Sequence, residues 1–172
     1  MTEKPPSLVN DVAIDSLMYY ASRAPEGAIV EIGVYRGGTA WHLEKLGKPL
    51  FLYDTFAGMP VSSGSDTHKI GKFSDCSYDA VRAAVPRATV IKGEFPHSLV
   101  NMPPVGFVHA DADQYESTKA ILEHMPGRMV WGGFILFDDF MTPDCQGCTD
   151  ALYESNRRIL VIGETGKALV IV

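Results

Sequence analysis

The sequence predicts a doubly wound α/β fold, with a mostly parallel sheet and an antiparallel hairpin at its C-terminus. Three observations carry this expectation. Short β-branched runs alternate with helical stretches along most of the chain, the pattern of a sheet covered on both faces. The first such run leads directly into a glycine turn, Gly33-Val34-Tyr35-Arg36-Gly37-Gly38, and the start of a helix. The last two runs are joined by Gly163-Glu164-Thr165-Gly166-Lys167, a hairpin signal.

The elements follow in order. Apolar residues at Leu8, Val12, Ile14, Leu17, Met18 and Ala21 suit an amphipathic helix over 8–24, with Ser7 as its N-cap and Pro25 beyond its end. Residues 28–32 form the first strand. A helix from Gly37 or Gly38 to Leu46 ends at Gly47, and the strand 50–53 delivers Asp54 at its C-terminal end. Residues 54–76 are rich in Gly, Ser, Asp and Pro, and a connection of that length reads as a lid. A short helix over 77–85 stops at Pro86 and is followed by a strand over 88–92. Residues 96–101 form at most a helical turn. The strand 105–110 ends just before Asp111, and a helix covers 115–125, capped near Gln114 or by Asp113. The strand 133–137 ends at Asp138-Asp139. A helix over 147–156 precedes the two hairpin strands, 158–162 and 168–172.

A chain of 172 residues favours one domain over 1–172, with residues 1–27 as a helical N-terminal region. The composition, 46% hydrophobic and 21% charged, is that of a soluble globular protein. The formal charge of −6 and the scattered Lys and Arg exclude a nucleic-acid surface. No apolar run reaches membrane-spanning length, and Met1–Pro6 has no apolar core for a signal peptide, so a cytoplasmic location is expected. Three cysteines do not suit a secreted disulfide framework. Cys145-Gln146-Gly147-Cys148 lacks a second ligand pair, which favours reduced thiols over zinc.

The glycine turn departs from a dinucleotide fingerprint. In GxGxxG the second glycine lets the backbone approach a pyrophosphate; here Tyr35 stands at that position. Glu31, two residues before Gly33, adds a carboxylate that would repel a pyrophosphate and suit a ligand carrying an ammonium and a sulfonium. S-adenosylmethionine is such a ligand. Asp54 at the second strand's end can accept from both ribose hydroxyls. Without those two carboxylates, the glycines alone are equally consistent with a ligand-free tight turn. Gly93-Glu94-Phe95, after the third strand, lies at the same sheet edge and can meet an adenine; the alternative places Phe95 in the core. Phe56 is a second candidate to stack on the adenosine.

Asp111, Asp138 and Asp139 fall at the C-terminal ends of strands, where open α/β sheets bind ligands. Three carboxylates held together raise one another's pKa. A hard divalent cation relieves that repulsion, and an oxygen-only set suits Mg²⁺. Beside a methyl donor, such a cation lowers the pKa of a substrate hydroxyl. The competing reading is that these acids, like Asp113, cap neighbouring helices. His97 is a loop-borne candidate general base or else a surface histidine. His109, inside a strand run, reads as a packing residue. His68 and Lys69 lie in the lid and are either solvated or closed over substrate.

Five segments carry a family resemblance: Val30-Glu31-Ile32-Gly33-Val34-Tyr35-Arg36-Gly37-Gly38-Thr39, Tyr53-Asp54-Thr55-Phe56-Ala57-Gly58-Met59-Pro60, Lys92-Gly93-Glu94-Phe95-Pro96, His109-Ala110-Asp111-Ala112-Asp113-Gln114-Tyr115-Glu116-Ser117-Thr118, and Gly132-Gly133-Phe134-Ile135-Leu136-Phe137-Asp138-Asp139-Phe140. With them the chain resembles the macrocin O-methyltransferases, class I S-adenosylmethionine enzymes that methylate sugar hydroxyls on macrolide antibiotics. The resemblance implies a seven-stranded, Rossmann-like methyltransferase sheet and a Mg²⁺ site at Asp111, Asp138 and Asp139, with Asp111 also near the reacting hydroxyl. It implies a cofactor held by Glu31, Gly33, Tyr35 and Gly37, by Asp54, Thr55 and Phe56, and by Gly93, Glu94 and Phe95. The partner implied is a hydroxylated small molecule, a sugar or glycoside above all, and a homo-oligomer is compatible with it. The competing function is a non-catalytic or differently specialised nucleotide-cofactor-binding protein on a similar sheet.

Overall fold

The computed structural model describes residues 3–60, 63–163 and 166–172. Its strands are β1 Ala28–Ile32, β2 Leu50–Asp54, β3 Thr89–Lys92, β4 Val105–Ala110, β5 Met129–Phe137, β6 Ile159–Ile162 and β7 Lys167–Ile171. Its α-helices are α1 Asp11–Arg23, α2 Gly38–Leu43, α3 Tyr78–Ala84, α4 Tyr115–His124 and α5 Gln146–Glu154. The strands form one sheet in the order β3-β2-β1-β4-β5-β7-β6. β1 to β5 run parallel, and β7 lies antiparallel between β5 and β6. This is the doubly wound sheet with a reversed C-terminal pair that the alternating pattern predicts. Part of the expected hairpin turn, residues 164 and 165, lies outside the described residues.

Every residue of β1 and of β4 is buried, as befits central parallel strands covered on both faces. One core layer sets Leu17 and Ala21 of α1, Ala40 and Leu43 of α2 and Val81 of α3 against Ile29, Leu52 and Phe107. The other sets Ile121 and Leu122 of α4 and Leu152 of α5 against Val30, Val108 and Ile135. No helix among the described residues is long and apolar enough to cross a membrane.

Among the boundaries that differ from the sequence expectation, three shape the sheet and its crevice. α1 begins at Asp11, and its N-cap is Asn10, whose Oδ1 accepts from the Ala13 N–H at 2.9 Å. Ser7 instead accepts from Val9 N–H and packs where a Cβ on Gly38 would stand, so the preceding segment lines the start of α2. β5 starts four residues early, because Met129 already pairs with Val105 before an irregularity between Met129 and Phe134 resets the register. β7 starts at Lys167, which had been assigned to the turn.

The chain order reverses between β1 and β4: β1 to β3 build outward on one side, and β4 returns beside β1. Such a switch point opens a crevice at the strands' C-terminal ends. Here the ladder continues past those ends and fixes the loops. Gly33 N–H donates to Tyr53 O, Gly93 N–H to Asp54 O, Asp111 N–H to Ile32 O and Asp138 N–H to Ala110 O, all at 2.9–3.0 Å. Gly33, at φ +90°, passes so close to the next loop that a Cβ there would overlap the Asp111 carbonyl.

Candidate active site

The crevice is a cavity of about 420 Å³. Its walls bring together Gly33 and Tyr35 after β1, Asp54 and Thr55 after β2, Gly93, Glu94 and Phe95 after β3, and Asp111 after β4. Asp138, Asp139 and Lys167 reach it from β5 and β7, and Met59, Lys72 and Phe73 from the 54–76 connection. The sequence candidates from five strand ends therefore share one space.

Four candidates sit differently from their expected roles. Glu31 is fully buried and does not line the cavity. Parallel register sets Glu31 opposite His109, and Glu31 Oε1 meets His109 Nδ1 at 2.8 Å. The carboxylate expected beside a ligand is thus a partner for the histidine beneath the turn. Phe56 is buried against Tyr78, with ring centroids 5.4 Å apart, and also leaves the wall. His97 is exposed and does not line the cavity, which removes it as general base. Gly37 caps α2 in a left-handed conformation and packs toward Val81, while Gly38 provides the wall.

Asp54 does more than the sequence suggests. Its Oδ2 accepts from the N–H groups of Val34 and Tyr35, both at 2.8 Å, and its Oδ1 accepts from Phe56 N–H at 2.7 Å. One carboxylate thereby ties the glycine turn to the next loop, and its remaining lone pairs face the crevice. The turn's amides point at Asp54 rather than into the cavity, which explains why this turn needs no dinucleotide glycine at Tyr35. Tyr35 adopts φ +51°, a conformation that costs a side-chain-bearing residue about 1–3 kcal/mol. Its hydroxyl donates to Asp75 Oδ2 at 3.2 Å, and Arg36 pairs with the same carboxylate at 2.5 Å.

Beyond Asp54, the 54–76 connection carries no helix or strand among its described residues, yet it is fixed at both flanks. Asp66 Oδ1 accepts from Tyr115 N–H at 2.9 Å, so this loop caps α4. Gln114, at the cap position itself, makes no side-chain capping bond. Thr67 Oγ1 donates to Asp144 O, and His68 Nε2 lies 3.7 Å from Cys145 Sγ. The three cysteines are free thiols. Replacing Asp66 with alanine removes the cap and is expected to cost about 1 kcal/mol in urea denaturation. It should also speed protease cleavage within 63–76, because the same carboxylate holds Ser63 N–H at 2.7 Å.

The acidic cluster is tighter and differently divided than the sequence implies. Ligand atoms of Asp111, Asp113 and Asp139 lie within 4.8 Å of one another. Those of His109, Asp111 and Asp138 form a second such group. Asp113, by sequence a candidate for helix capping, holds φ +57° and directs its carboxyl group to Asp139 and to Cys145 Sγ, the latter at 3.5 Å. Asp138 Oδ1 is ion-paired to Lys167 Nζ and lies 3.5 Å from His109 Nε2. Lys167 is the residue that sequence reasoning missed. The only available signal was its place directly before an apolar run.

Burial, with the charges of Asp113 and Glu31 opposing that of His109, pushes Asp111 up to about 7. Burial and the charges of Asp113 and Asp111 raise Asp139 well above the ordinary carboxylate range. Burial lowers Lys167 to about 8, against the pull of Asp111. A carboxyl whose folded value exceeds its unfolded 3.8 stabilises the fold in its protonated form. That contribution is whole below 3.8 and is lost as pH rises through about 7. In EDTA, stability from Asp111 and Asp139 should therefore fall as pH rises from about 4 to about 7. Urea midpoints of the wild type and of Asp111→Asn/Asp139→Asn, followed across that range, test this; equal slopes would contradict it.

With this geometry established, comparison with known proteins becomes decisive. The model of the macrocin O-methyltransferase (TylF) family matches residues 16–161. The chain belongs to this family. Among relatives, it is 27% identical over 157 residues to 8-demethyl-8-(2,3-dimethoxy-alpha-L-rhamnosyl)-tetracenomycin-C 4'-O-methyltransferase of Streptomyces olivaceus, covering 77% of this chain and 59% of that protein. It is 25% identical over 158 residues to mycinamicin III 3''-O-methyltransferase of Micromonospora griseorubida, covering 77% and 61%. The chain thus spans about three-fifths of the length of these relatives. The solved structure of the O-methyltransferase NovP superposes with a TM-score of 0.76 at 20% identity, over 92% of this chain and 78% of that one, a likeness of fold. The family match includes the glycine turn, Asp54 and the other four aspartates that line the crevice.

Proposed function

We propose that the protein is an S-adenosylmethionine- and Mg²⁺-dependent O-methyltransferase acting on a hydroxyl of a sugar or glycoside. The observation that carries this reading is the convergence of Asp111, Asp113 and Asp139 on the crevice that the glycine turn and Asp54 also line. The Streptomyces olivaceus relative is named for methylation of a rhamnosyl-tetracenomycin, which favours a deoxyhexose hydroxyl as acceptor.

The residues fit both groups. Asp139 Oδ2 is buried with no hydrogen-bond partner, and the donor set around it is all oxygen, the preference of a hard divalent cation. Asp111 and Asp139 would hold Mg²⁺, with Asp138 and Asp113 beside them. For the cofactor, Asp54 keeps lone pairs for ribose hydroxyls, Gly93 and Glu94 offer a polar edge to adenine, and Phe95 closes that end in edge contact with Tyr53 at 5.7 Å. The sulfonium supplies an electrophilic methyl group, and the cation supplies Lewis acidity that makes a hydroxyl more acidic.

The chain's own residues do the rest. The docked 54–76 connection and the 6–10 segment wall the crevice and exclude water from it. The strand-end ladder fixes Asp111, whose carboxylate accepts the acceptor's hydroxyl proton. Bound S-adenosylmethionine would supply the methyl group to that oxygen and would itself leave as the neutral thioether.

Calorimetry with S-adenosylhomocysteine and labelled methyl transfer to a panel of rhamnosyl glycosides, with Mg²⁺ or EDTA, test the proposal. Absence of cofactor binding at millimolar concentration would remove the methyltransferase reading. Turnover indifferent to EDTA would remove the metal. Cofactor binding without transfer to any glycoside would instead favour the non-catalytic alternative.

A further inference from the structure

Lys167 has no assigned role, and its surroundings are unusual for a lysine. It is 1% exposed at the head of β7 and lines the crevice. Antiparallel register explains its position: Phe137 pairs with Ala168, so the next step of the ladder sets Asp138 opposite Lys167. The ammonium is ion-paired with Asp138 Oδ1. A row of alternating partners runs beneath the acidic cluster: Glu31 to His109 at 2.8 Å, His109 to Asp138 at 3.5 Å, and Asp138 to Lys167. Asp138 therefore already has a cationic partner within the chain, whereas Asp139 Oδ2 has none.

Resting on the Mg²⁺ reading above, we propose that Lys167 is a resident competitor for the divalent cation at Asp138. It neutralises that one carboxylate, leaves Asp111, Asp113 and Asp139 to meet the incoming ion, and sets a weaker metal affinity than four free carboxylates would give. Asp138 joins the ion only when the ammonium yields. The reason is Coulombic: two cations cannot share a half-buried carboxylate oxygen without repelling each other where water screens poorly.

Manganese titration, read by the electron paramagnetic resonance of free Mn²⁺ and by calorimetry, tests this without recourse to activity. Lys167→Met should bind Mn²⁺ about tenfold or more tightly than the wild type. Lys167→Gln, which keeps a donor for Asp138 and protects the fold, should shift affinity the same way by less. The gain should vanish when Lys167→Met is made on Asp138→Asn, since the carboxylate in dispute is then gone. Unchanged or weaker binding by both lysine variants would overturn the proposal while leaving the metal reading intact. So would a gain that persists on Asp138→Asn, which would make Lys167 a source of general repulsion only. A wild type and variants that all fail to bind Mn²⁺ would overturn both.

Discussion

Asp111→Asn is expected to lower methyl transfer roughly 10³-fold while leaving affinity for S-adenosylhomocysteine in place. Asparagine matches aspartate in shape and retains the backbone bond from residue 111 to Ile32 O, so the loop keeps its position. On the proposed function, what is lost is the carboxylate that accepts the hydroxyl proton and contributes to the cation site. Asp111 is suited to both tasks. It is raised to about 7 by burial, belongs to two of the three possible three-residue ligand groups, and sits against Gly33 at the switch point. Single-turnover measurement with saturating cofactor separates chemistry from binding. A rate within tenfold of the wild type would require another proton acceptor in the crevice, and Asp113 would be the first to examine.

The second large effect concerns stability. His109→Ala is expected to destabilise the protein by about 3–5 kcal/mol, because it strands the Glu31 carboxylate in the core. Glu31 is fully buried, its Oε1 has His109 as partner, and its Oε2 has none. For a domain of this size the melting temperature should fall on the order of 10 °C. Glu31→Leu/His109→Leu, which removes the charge together with its partner, should recover most of the loss, as buried ion pairs replaced by packed apolar residues often do. Thermal and urea denaturation of the two variants decide the matter. A double variant as unstable as the single one would mean that the histidine acts mainly through Asp138.

The two experiments probe opposite ends of one row of side chains. Glu31 and His109 form its buried base, and Asp138 and Lys167 form its edge at the crevice. A loss of fold stability through His109 should therefore also disturb metal affinity through Asp138.

Much of this was legible in the sequence. The buried strands read clearly because a short β-branched run bounded by glycine or proline has few alternatives, and the 28–32 and 105–110 runs are β1 and β4 residue for residue. The carboxylates after β4 and β5 were legible as a group because parallel strands end on one face. Boundaries failed where a neighbour intervened. The register shift between Met129 and Phe134 hid the start of β5, and Asn10 displaced Ser7 as the cap of α1.

By itself, then, the sequence determined the order and type of the elements, the crevice at the sheet's switch point and the acids that surround it. These follow from local periodicity and from the geometry of any parallel sheet. Only the tertiary structure decided which partner each charge takes. Glu31 meets His109 across 78 residues of chain, and Asp66 caps a helix 49 residues away. Asp138 is claimed by a lysine from a strand that runs the other way. Strand register sets the Glu31 and Asp138 pairings and loop docking sets that of Asp66, so neither leaves a local mark on the chain.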